Sequence, residues 1–362
     1  MRRRAASIVS ALALLVLVAG CGNDDQPKAA GGANERLSIE MGMAAEGTFT
    51  AEWWGWLAAR EMGYYDELGL DVKFTPTGGS GTVIEQLAAG NIEAGNPSMP
   101  SVGEGLLSGL PLVNVFTYST GAIFGIFAPA DSGIATIADL NGKKIGISEP
   151  GGGEVAFLEA ALREAGVDPI SDVSLIPIGD GGPETFQAIS DKKVDAYSTA
   201  YNDIFAMQAE GMNFDDLTPK VFATFPARGI ITTTKMLEEH EEAFRRLARG
   251  TAMGIHFCFA NFDACESMLR KEIPEVWEEN DDGVSQGSLR FALAQKQVKP
   301  ADAARYGAHD RASTQAFIDT IASTMPDAPK VDLDQFLDDR FIAYANDFDH
   351  AKVEADATSY AK

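Results

Sequence analysis

The sequence is poor in basic residues, in cysteine and in histidine, and each shortage excludes a class of protein. The 29 lysines and arginines stand against 53 aspartates and glutamates, so the formal net charge is −24. This excess of negative charge argues against binding to nucleic acid or to an anionic membrane surface. The 4 histidines lack the spacing with cysteines or carboxylates that metal ligands show, so we expect neither a metal nor a cofactor.

Motifs of common catalytic and nucleotide-binding sites are also missing. There is no Gly-x-Ser-x-Gly nucleophile elbow with histidine partners. The two glycine-rich stretches, TGGSGT and EPGGGE, lack the Gly-Lys-Ser/Thr ending of a phosphate-binding loop. No run beyond the N-terminal segment is long and apolar enough to span a membrane. The sequence therefore favours a binding protein over an enzyme.

The N-terminus has the layout of an export signal. Arg2–Arg4 form a basic start, and the apolar run Ile8–Val18 is too short to span a bilayer, which takes about 20 residues. The following Val18–Cys21 segment resembles the bacterial lipobox, in which the chain is cut before a cysteine that carries a diacylglycerol. An ordinary signal peptide with a chance cysteine is the alternative. We predict a signal peptide over 1–20, a flexible tether over 21–36, and lipid anchoring through Cys21 to the outer face of the cytoplasmic membrane.

Short apolar runs alternate with helical periodicity from Leu37 to about residue 200, which predicts α/β architecture with mostly parallel sheets. Two blocks share the order strand-helix-strand-helix-strand, and a chain of this length needs more than one core, so we expect two lobes. The predicted strands are 37–43, 70–74, 92–95, 112–118, 145–148, 173–177 and 196–198. The helices predicted between them are 52–63, 81–90, 102–108, 154–165 and 184–190. Helices at 237–259, 264–271, 288–293, 314–325 and 333–347 should pack around the first lobe.

Two cysteines remain besides Cys21, and their pairing is open. Cys258 and Cys265 would be about 10 Å apart along one continuous helix, too far for a disulfide. A helix end near Ala260 followed by a new N-cap at Asp263 would bring them together. The alternatives are a disulfide and two small buried thiols.

The run GYYDELGLDVKFTPTGGSGTVIEQLAAGNIEAG, with GLPLVNV, IADLNGKKIGIS, KKVDAYSTAYND and YANDFDHAKV further on, resembles the periplasmic binding proteins for sulfonates, nitrate and the thiamine pyrimidine. The resemblance implies a type II periplasmic-binding fold, with one lobe from 37–122 and 228–362 and the other from 123–227. It also implies a monomer that closes around a small solute and docks on an ABC permease powered by an ATPase. The lobes should connect near Tyr118–Phe127 and Ala223–Gly229.

Ligands of open α/β sheets bind at the carboxyl ends of the strands, so we expect the ligand-binding residues in the loops there. The segment GTFTAEWWGW replaces the Asn or His-Ala segment that is usual in the family, which adds aromatic side chains and puts a sulfonate or nitrate ligand in doubt. Core packing, helix capping and helix-dipole effects are the competing explanations for these residues. The predicted ligand-binding residues are Phe49, Trp53, Ser80, Gly81, Thr82, Pro97, Ser98, Tyr118, Gly152, Gly153, Glu154, Tyr201 and Asp203.

Aromatic walls, hydroxyls and carboxylates together favour a flat, polar, nitrogen-containing solute such as a pyrimidine vitamin precursor. Arg228 is the only basic residue close to a predicted connection between the lobes. The alternative is an alkane or aryl sulfonate or another small organic anion, held by backbone N–H groups. An enzyme like the eukaryotic pyrimidine synthase is less favoured, because its CCCFC signature is absent. An adhesin or sensor-partner lipoprotein of the same fold is a third class.

Overall fold

Strand and helix alternate along the first two thirds of the chain, as the spacing of apolar residues predicts. The computed structural model describes residues 36–45, 51–121, 123–150, 152–179, 181–279, 305–323, 325 and 327–360. The strands are β1 Leu37–Ala45, β2 Leu70–Gly78, β3 Ala94–Gly95, β4 Leu112–Thr120, β5 Phe124–Pro129, β6 Lys144–Ile147, β7 Ser174–Pro177, β8 Ala196–Ala200, β9 Phe214–Asp216 and β10 Pro226–Thr233. The helices up to β10 are α1 Trp54–Glu61, α2 Tyr64–Glu67, α3 Ser80–Ala89, α4 Met99–Leu107, α5 Val155–Glu164, α6 Pro183–Ser190 and α7 Tyr201–Ala209. After β10 follow α8 Thr234–Glu239, α9 Glu241–Ala260, α10 Phe262–Glu272, α11 Pro274–Glu279, α12 Arg311–Ala322, α13 Leu333–Phe336, α14 Ile342–Ala345 and α15 His350–Ser359.

The strands form two five-stranded sheets with the same winding. The first sheet has the order β2-β1-β3-β10-β4, and the second has the order β7-β6-β8-β5-β9. In each sheet four strands run in one direction and one opposes them, β10 in the first and β5 in the second. The predicted two-lobed α/β fold is confirmed. We call the parts of the chain around these sheets the first and the second lobe, and keep the boundaries 37–122 with 228–362, and 123–227, as a proposed division.

The opposing strand of each sheet is the one that follows a passage of the chain from the other sheet. The chain leaves the first sheet after Thr120 and enters the second at Phe124. It leaves the second sheet after Asp216 and returns at Pro226. Neither β5, β9 nor β10 was predicted as a strand, whereas the passages fall within or next to the segments expected to connect the lobes.

The core of the first lobe forms where α9 lies against α1. Gly254 allows this approach, because a Cβ atom there would stand 2.0 Å from the carbonyl oxygen of Gly55. Trp54, Trp56 and Tyr65 are buried in the same cluster. A second cluster includes Phe157 and Phe225 beside Phe317 of α12, so apolar packing continues from the second lobe into the C-terminal helices.

The C-terminal third is helical, but two of its predicted helices are divided into shorter ones. The expected helix 237–259 is two helices, α8 and α9, and the expected helix 333–347 is broken into α13, a 3-10 turn at Asp339–Phe341, and α14. The predicted helix 288–293 lies outside the described residues. No helix in the described part is both long and apolar enough to cross a membrane.

Cys258 and Cys265 form a disulfide, with Cα atoms 4.8 Å apart. The helix does break between them as the pairing requires, because α9 ends at Ala260 and α10 begins at Phe262. The new N-cap is Asn261, whose side chain accepts a hydrogen bond from the Ala264 N–H at 3.2 Å, and not Asp263 as predicted. Both cysteines are buried, so the bond crosslinks the core beside α1.

Candidate functional site

The carboxyl ends of the parallel strands in the two sheets come together at one place. Glu52, after β1, is hydrogen-bonded to Asn202, after β8, and this bond joins the two lobes. A Cβ atom on Gly153 of the second lobe would lie 3.6 Å from Ser98 Oγ of the first. Loops at these strand ends are where open α/β sheets bind ligands, so we take this meeting edge, which we call the cleft, as the candidate site.

A charged pair in the cleft also makes a contact between the lobes. The Arg228 side chain donates to Glu52 Oε2 at 2.8 Å and to the carbonyl oxygen of Asn96 at 3.1 Å. Glu52 Oε1 accepts a hydrogen bond from Asn202 Nδ2 at 2.8 Å. The Arg228 and Glu52 side chains are 12% and 24% exposed, so the pair is shielded from bulk water but not sealed. The cation at this edge is thereby balanced by a carboxylate of the same chain.

A row of small polar groups continues from this pair along the first lobe. Asn96 is fully buried, and its Oδ1 accepts a hydrogen bond from the Ala44 N–H at 2.7 Å. Its Nδ2 finds no hydrogen-bond partner in the part of the chain that the structure describes. Ser98 is joined to Ser80, which accepts its backbone N–H at 2.9 Å, and Pro97 between Asn96 and Ser98 is buried. The side chains of Asn96, Ser98 and Ser80 are uncharged and can both donate and accept hydrogen bonds.

Helix α3 begins beside this row. Its N-cap is Gly79, with φ of 117°, and no side chain caps its first turn. Gly81 is exposed and Thr82 half-buried, so the uncapped N–H groups of the first turn are the kind of donors that bind an oxygen-rich ligand group. The predicted set Ser80, Gly81 and Thr82 thus lies at a helix N-terminus near the cleft.

The second lobe contributes a glycine loop between β6 and α5. Glu154 is 2% exposed, and its Oε1 accepts hydrogen bonds from the Ser148 N–H at 2.8 Å and the Ser148 hydroxyl at 2.5 Å. A Cβ atom on Gly152 would stand 2.5 Å from the Glu154 carboxylate, so any larger residue there would require this carboxylate to shift. The Glu154 carboxylate therefore stabilises its own loop, and in this conformation Gly153 lies beside Ser98 of the first lobe.

The predicted aromatic residues serve internal packing in this conformation. Trp53 is 0% exposed and belongs to the core of the first lobe. Tyr118 stacks on Trp56 at 3.7 Å between ring centroids, and its hydroxyl accepts the Gly55 N–H at 2.9 Å in the first turn of α1. Burial raises the pKa of the Tyr118 phenol well above its usual value. Their contact with a ligand stays a prediction.

Two predicted residues of α7 point into the second lobe. The Tyr201 hydroxyl donates to Asp216 at 2.7 Å, and its ring packs edge-on against Phe127. Burial raises the pKa of the Tyr201 phenol. Asp203 accepts a hydrogen bond from the Thr199 hydroxyl. Asn202, which lies between them, is the residue of this turn that reaches the first lobe. Phe49 and Cys21 lie outside the described residues.

The described residues hold no group of three or more His, Cys, Asp or Glu side chains placed to bind a metal ion. His256 and His309, both buried, are bonded to Tyr306 and Thr117 respectively. Burial lowers the pKa of each of these imidazoles.

Comparison with known proteins assigns the family. The NMT1/THI5 like family matches residues 50–264, more than half of the chain. The chain belongs to this family.

Relatives and solved structures agree with that assignment. The riboflavin-binding protein RibY of Chloroflexus aurantiacus is 26% identical over 221 residues, which cover 60% of this chain and 62% of that protein, less than two thirds of its length. The periplasmic aliphatic sulphonate binding protein SsuA of Escherichia coli has a TM-score of 0.62 at 17% identity, with 82% of this chain and 91% of that chain covered. A mutant of DszB in complex with biphenyl-2-sulfinic acid has a TM-score of 0.53 at 18% identity, covering 86% and 99%. These structures share the fold, and the resemblance read from the sequence is confirmed.

The NMT1/THI5 like assignment covers most of the cleft residues, including three that sequence reasoning did not select. Glu52, Asn96 and Asn202 all lie inside the matched range and inside or beside loops that were predicted to face the ligand. Two features of the sequence could have identified these residues. Each lies just after a strand, and each side chain is either charged or able both to donate and to accept a hydrogen bond. The prediction selected the neighbouring aromatic residues Trp53 and Tyr201 instead.

Proposed function

We propose that the chain is the solute-binding protein of an ABC importer and that it captures a small, flat, neutral N-heteroaromatic solute. The solute would lie in the cleft between the two lobes, and the closed protein would deliver it to a membrane permease with its ATPase. The protein would act without catalysis, as a monomer.

The charge balance of the cleft carries this proposal. An anion is best held by a basic side chain with free donors, but Arg228 already forms an ion pair with Glu52 at 2.8 Å. The other groups beside it, Asn96, Ser98 and Ser80, are neutral and suit the mixed donors and acceptors on the edge of a nitrogen heterocycle. RibY, whose name states that it binds riboflavin, supports the same class, since flavins are flat N-heteroaromatic compounds.

The place of action follows from the N-terminal sequence. A signal peptide cleaved before Cys21 and a lipid on that cysteine would hold the protein on the outer face of the cytoplasmic membrane. The tether over 21–36 would let the folded part reach its permease.

A second candidate ligand is an alkane or aryl sulfonate or another small organic anion. The uncapped N-terminus of α3 and the fold shared with SsuA favour it. An enzymatic role is the weaker alternative, because the sequence lacks a Gly-x-Ser-x-Gly nucleophile elbow with histidine partners.

Thermal unfolding with a ligand panel tests the proposal. Riboflavin, an aminopyrimidine, an aryl sulfonate and nitrate would each be titrated onto the purified chain. A ligand at 100 times its Kd adds roughly 2.7 kcal/mol to the free energy of unfolding, which raises Tm by about 4 °C for a chain of this size. We expect a neutral heterocycle to give this shift. A shift with sulfonates or nitrate alone would overturn the proposed ligand class.

A paired substitution locates the site. Asn96→Asp keeps the acceptor for the Ala44 N–H and replaces the Nδ2 donor by a carboxylate oxygen. We expect it to weaken binding of the neutral heterocycle at least ten-fold. Asn141→Asp adds the same charge at an exposed position of the second lobe and should leave the affinity unchanged.

A further inference from the structure

The position of Glu52 gives it two roles that the proposed function alone does not assign. It lies on the 3-10 turn Ala51–Trp53 that precedes α1, at the carboxyl end of β1. One carboxylate oxygen contacts Arg228 of the first lobe, and the other contacts Asn202 of the second. Both oxygens are therefore engaged by the protein's own donors.

Arg228 is fixed from several directions and cannot easily turn to another partner. Its backbone forms a bridge with Ser98, and it lies at an irregularity where the register between β10 and β4 shifts. One guanidinium nitrogen donates to the Asn96 carbonyl, and a second donates to Glu52. The side chain is thus held at the ligand-facing end of the sheet, with its charge cancelled by a carboxylate 2.8 Å away.

An anion entering the cleft would meet the Glu52 carboxylate as well as Arg228. At the guanidinium N–H groups that the pair leaves available, the anion would be repelled by this carboxylate, which two hydrogen bonds hold in place. A neutral solute is not repelled by the carboxylate. It can accept a hydrogen bond from a guanidinium N–H that the pair leaves available, since the guanidinium has five N–H groups. The pair thus discriminates by charge rather than by shape.

The hydrogen bond between Glu52 and Asn202 depends on whether the two lobes are closed. Glu52 and Arg228 belong to the same lobe, so their ion pair persists whether the lobes are open or closed. Asn202 stands at the start of α7 in the second lobe, so its bond with Glu52 exists only while the lobes are together. The carboxylate that masks the cation is then also the acceptor that the second lobe uses to close.

We propose that Glu52 is the specificity-determining residue of the cleft: it masks Arg228 so that small anions are rejected, and it bridges the lobes through Asn202. This inference rests on the proposal that the cleft is the solute site. It adds that the charge preference of that site is set by a single side chain.

Anion binding to the Glu52→Gln variant tests the masking. Methanesulfonate would be titrated by calorimetry onto the wild-type chain and onto E52Q, which removes the negative charge at nearly constant size. We expect E52Q to bind the anion at least ten-fold more tightly than the wild type. The double variant E52Q/R228M should lose that gain, because the unmasked cation is then absent.

Glu40→Gln is the matched control. Glu40 pairs with Lys73 at 2.9 Å on the first sheet, and its substitution changes the net charge of the chain by the same amount. No gain in E52Q over the wild type, or an equal gain in E40Q, would overturn the masking role.

Small-angle scattering of the ligand-free chain tests the bridge. Asn202→Ala should shift the population toward open lobes and increase the radius of gyration, while Asn141→Ala should not. An unchanged radius in N202A would overturn the bridging role. If no neutral heterocycle binds the wild type but E52Q gains methanesulfonate through Arg228, the proposed ligand class fails while the masking role stands.

Discussion

Substitution of Tyr118 by phenylalanine separates a structural role of this residue from a ligand contact. The change removes the hydroxyl and keeps the ring, so the stack on Trp56 at 3.7 Å is preserved. What is lost is the acceptor of the buried Gly55 N–H, at 2.9 Å, and a weaker contact of the hydroxyl with the Glu52 carbonyl, at 3.4 Å.

The size of the effect follows from the unsatisfied donor. A buried N–H that loses its acceptor costs about 1–3 kcal/mol. The compact unit Glu35–Lys362 has an unfolding entropy of roughly 0.7 kcal/mol/K, from about 2.1 cal/mol/K per residue. A loss of about 2 kcal/mol therefore lowers Tm by roughly 3 °C.

Circular dichroism melts without ligand measure the stability, and a titration with the best ligand of the panel measures the affinity. Tyr344→Phe is the control, because it also removes a tyrosine hydroxyl, while the ring keeps its contacts with Arg245 and Arg249. We expect Tyr118→Phe to lose stability and to keep its affinity within about two-fold. A variant with the wild-type Tm and a Kd weakened ten-fold or more would refute the reasoning and place the hydroxyl on the ligand.

Three further predictions concern stability. Replacing Cys258 and Cys265 by serine opens a loop with a separation of 7 residues, which should cost about 2.5 kcal/mol in urea unfolding; a reductant should lower the stability of the wild type but not of this variant. Burial, and then the neighbouring His350 imidazole of α15, lower the pKa of His256 below 6.5. Because the unfolded chain then binds the proton more tightly, the free energy of unfolding should fall as the pH drops from about 6.5 toward 5. His256→Asn should flatten that slope, and an unchanged slope would contradict the assignment. Gly254→Ala should cost at least about 2 kcal/mol, since its Cβ would stand 2.0 Å from the α1 backbone, whereas Gly81→Ala on α3, with no atom within 4 Å, should stabilise by up to about 1 kcal/mol; equal melting temperatures would refute the packing argument.

Several strands that lie between helical or glycine-containing segments were predictable from the sequence. The runs that became β1, β2 and β4 are apolar and bounded by glycine or helical segments, so the predicted strands overlap the observed ones within a few residues. β5 and β10 were missed although they are buried much as β4 is. Gly125 and Pro129 in β5, and Pro226 and Gly229 in β10, are residue types that are depleted in strands.

The sequence predicts which loops follow the strands, but not which side chains face across the cleft. Parallel sheets place these loops on one edge, and their contact with a ligand stays a prediction. Within a turn, however, adjacent residues point in different directions. Glu52 rather than Trp53, and Asn202 rather than Tyr201, reach toward the opposite lobe, and that choice depends on packing around α1 and α7, which the sequence alone does not show.

The interrupted first sheet imposes an order on assembly of the growing chain. The second sheet is built from one continuous stretch, Phe124–Asp216, and can be completed as soon as that stretch has been synthesised. The first sheet cannot, because the place between β3 and β4 is filled by β10, at Pro226–Thr233. Until then β4, a strand buried along nearly its whole length in the finished protein, has no neighbour in its sheet, and its backbone N–H and C=O groups lack strand partners. During synthesis, β4 is therefore open to pairing with the wrong strand until β10 has been made.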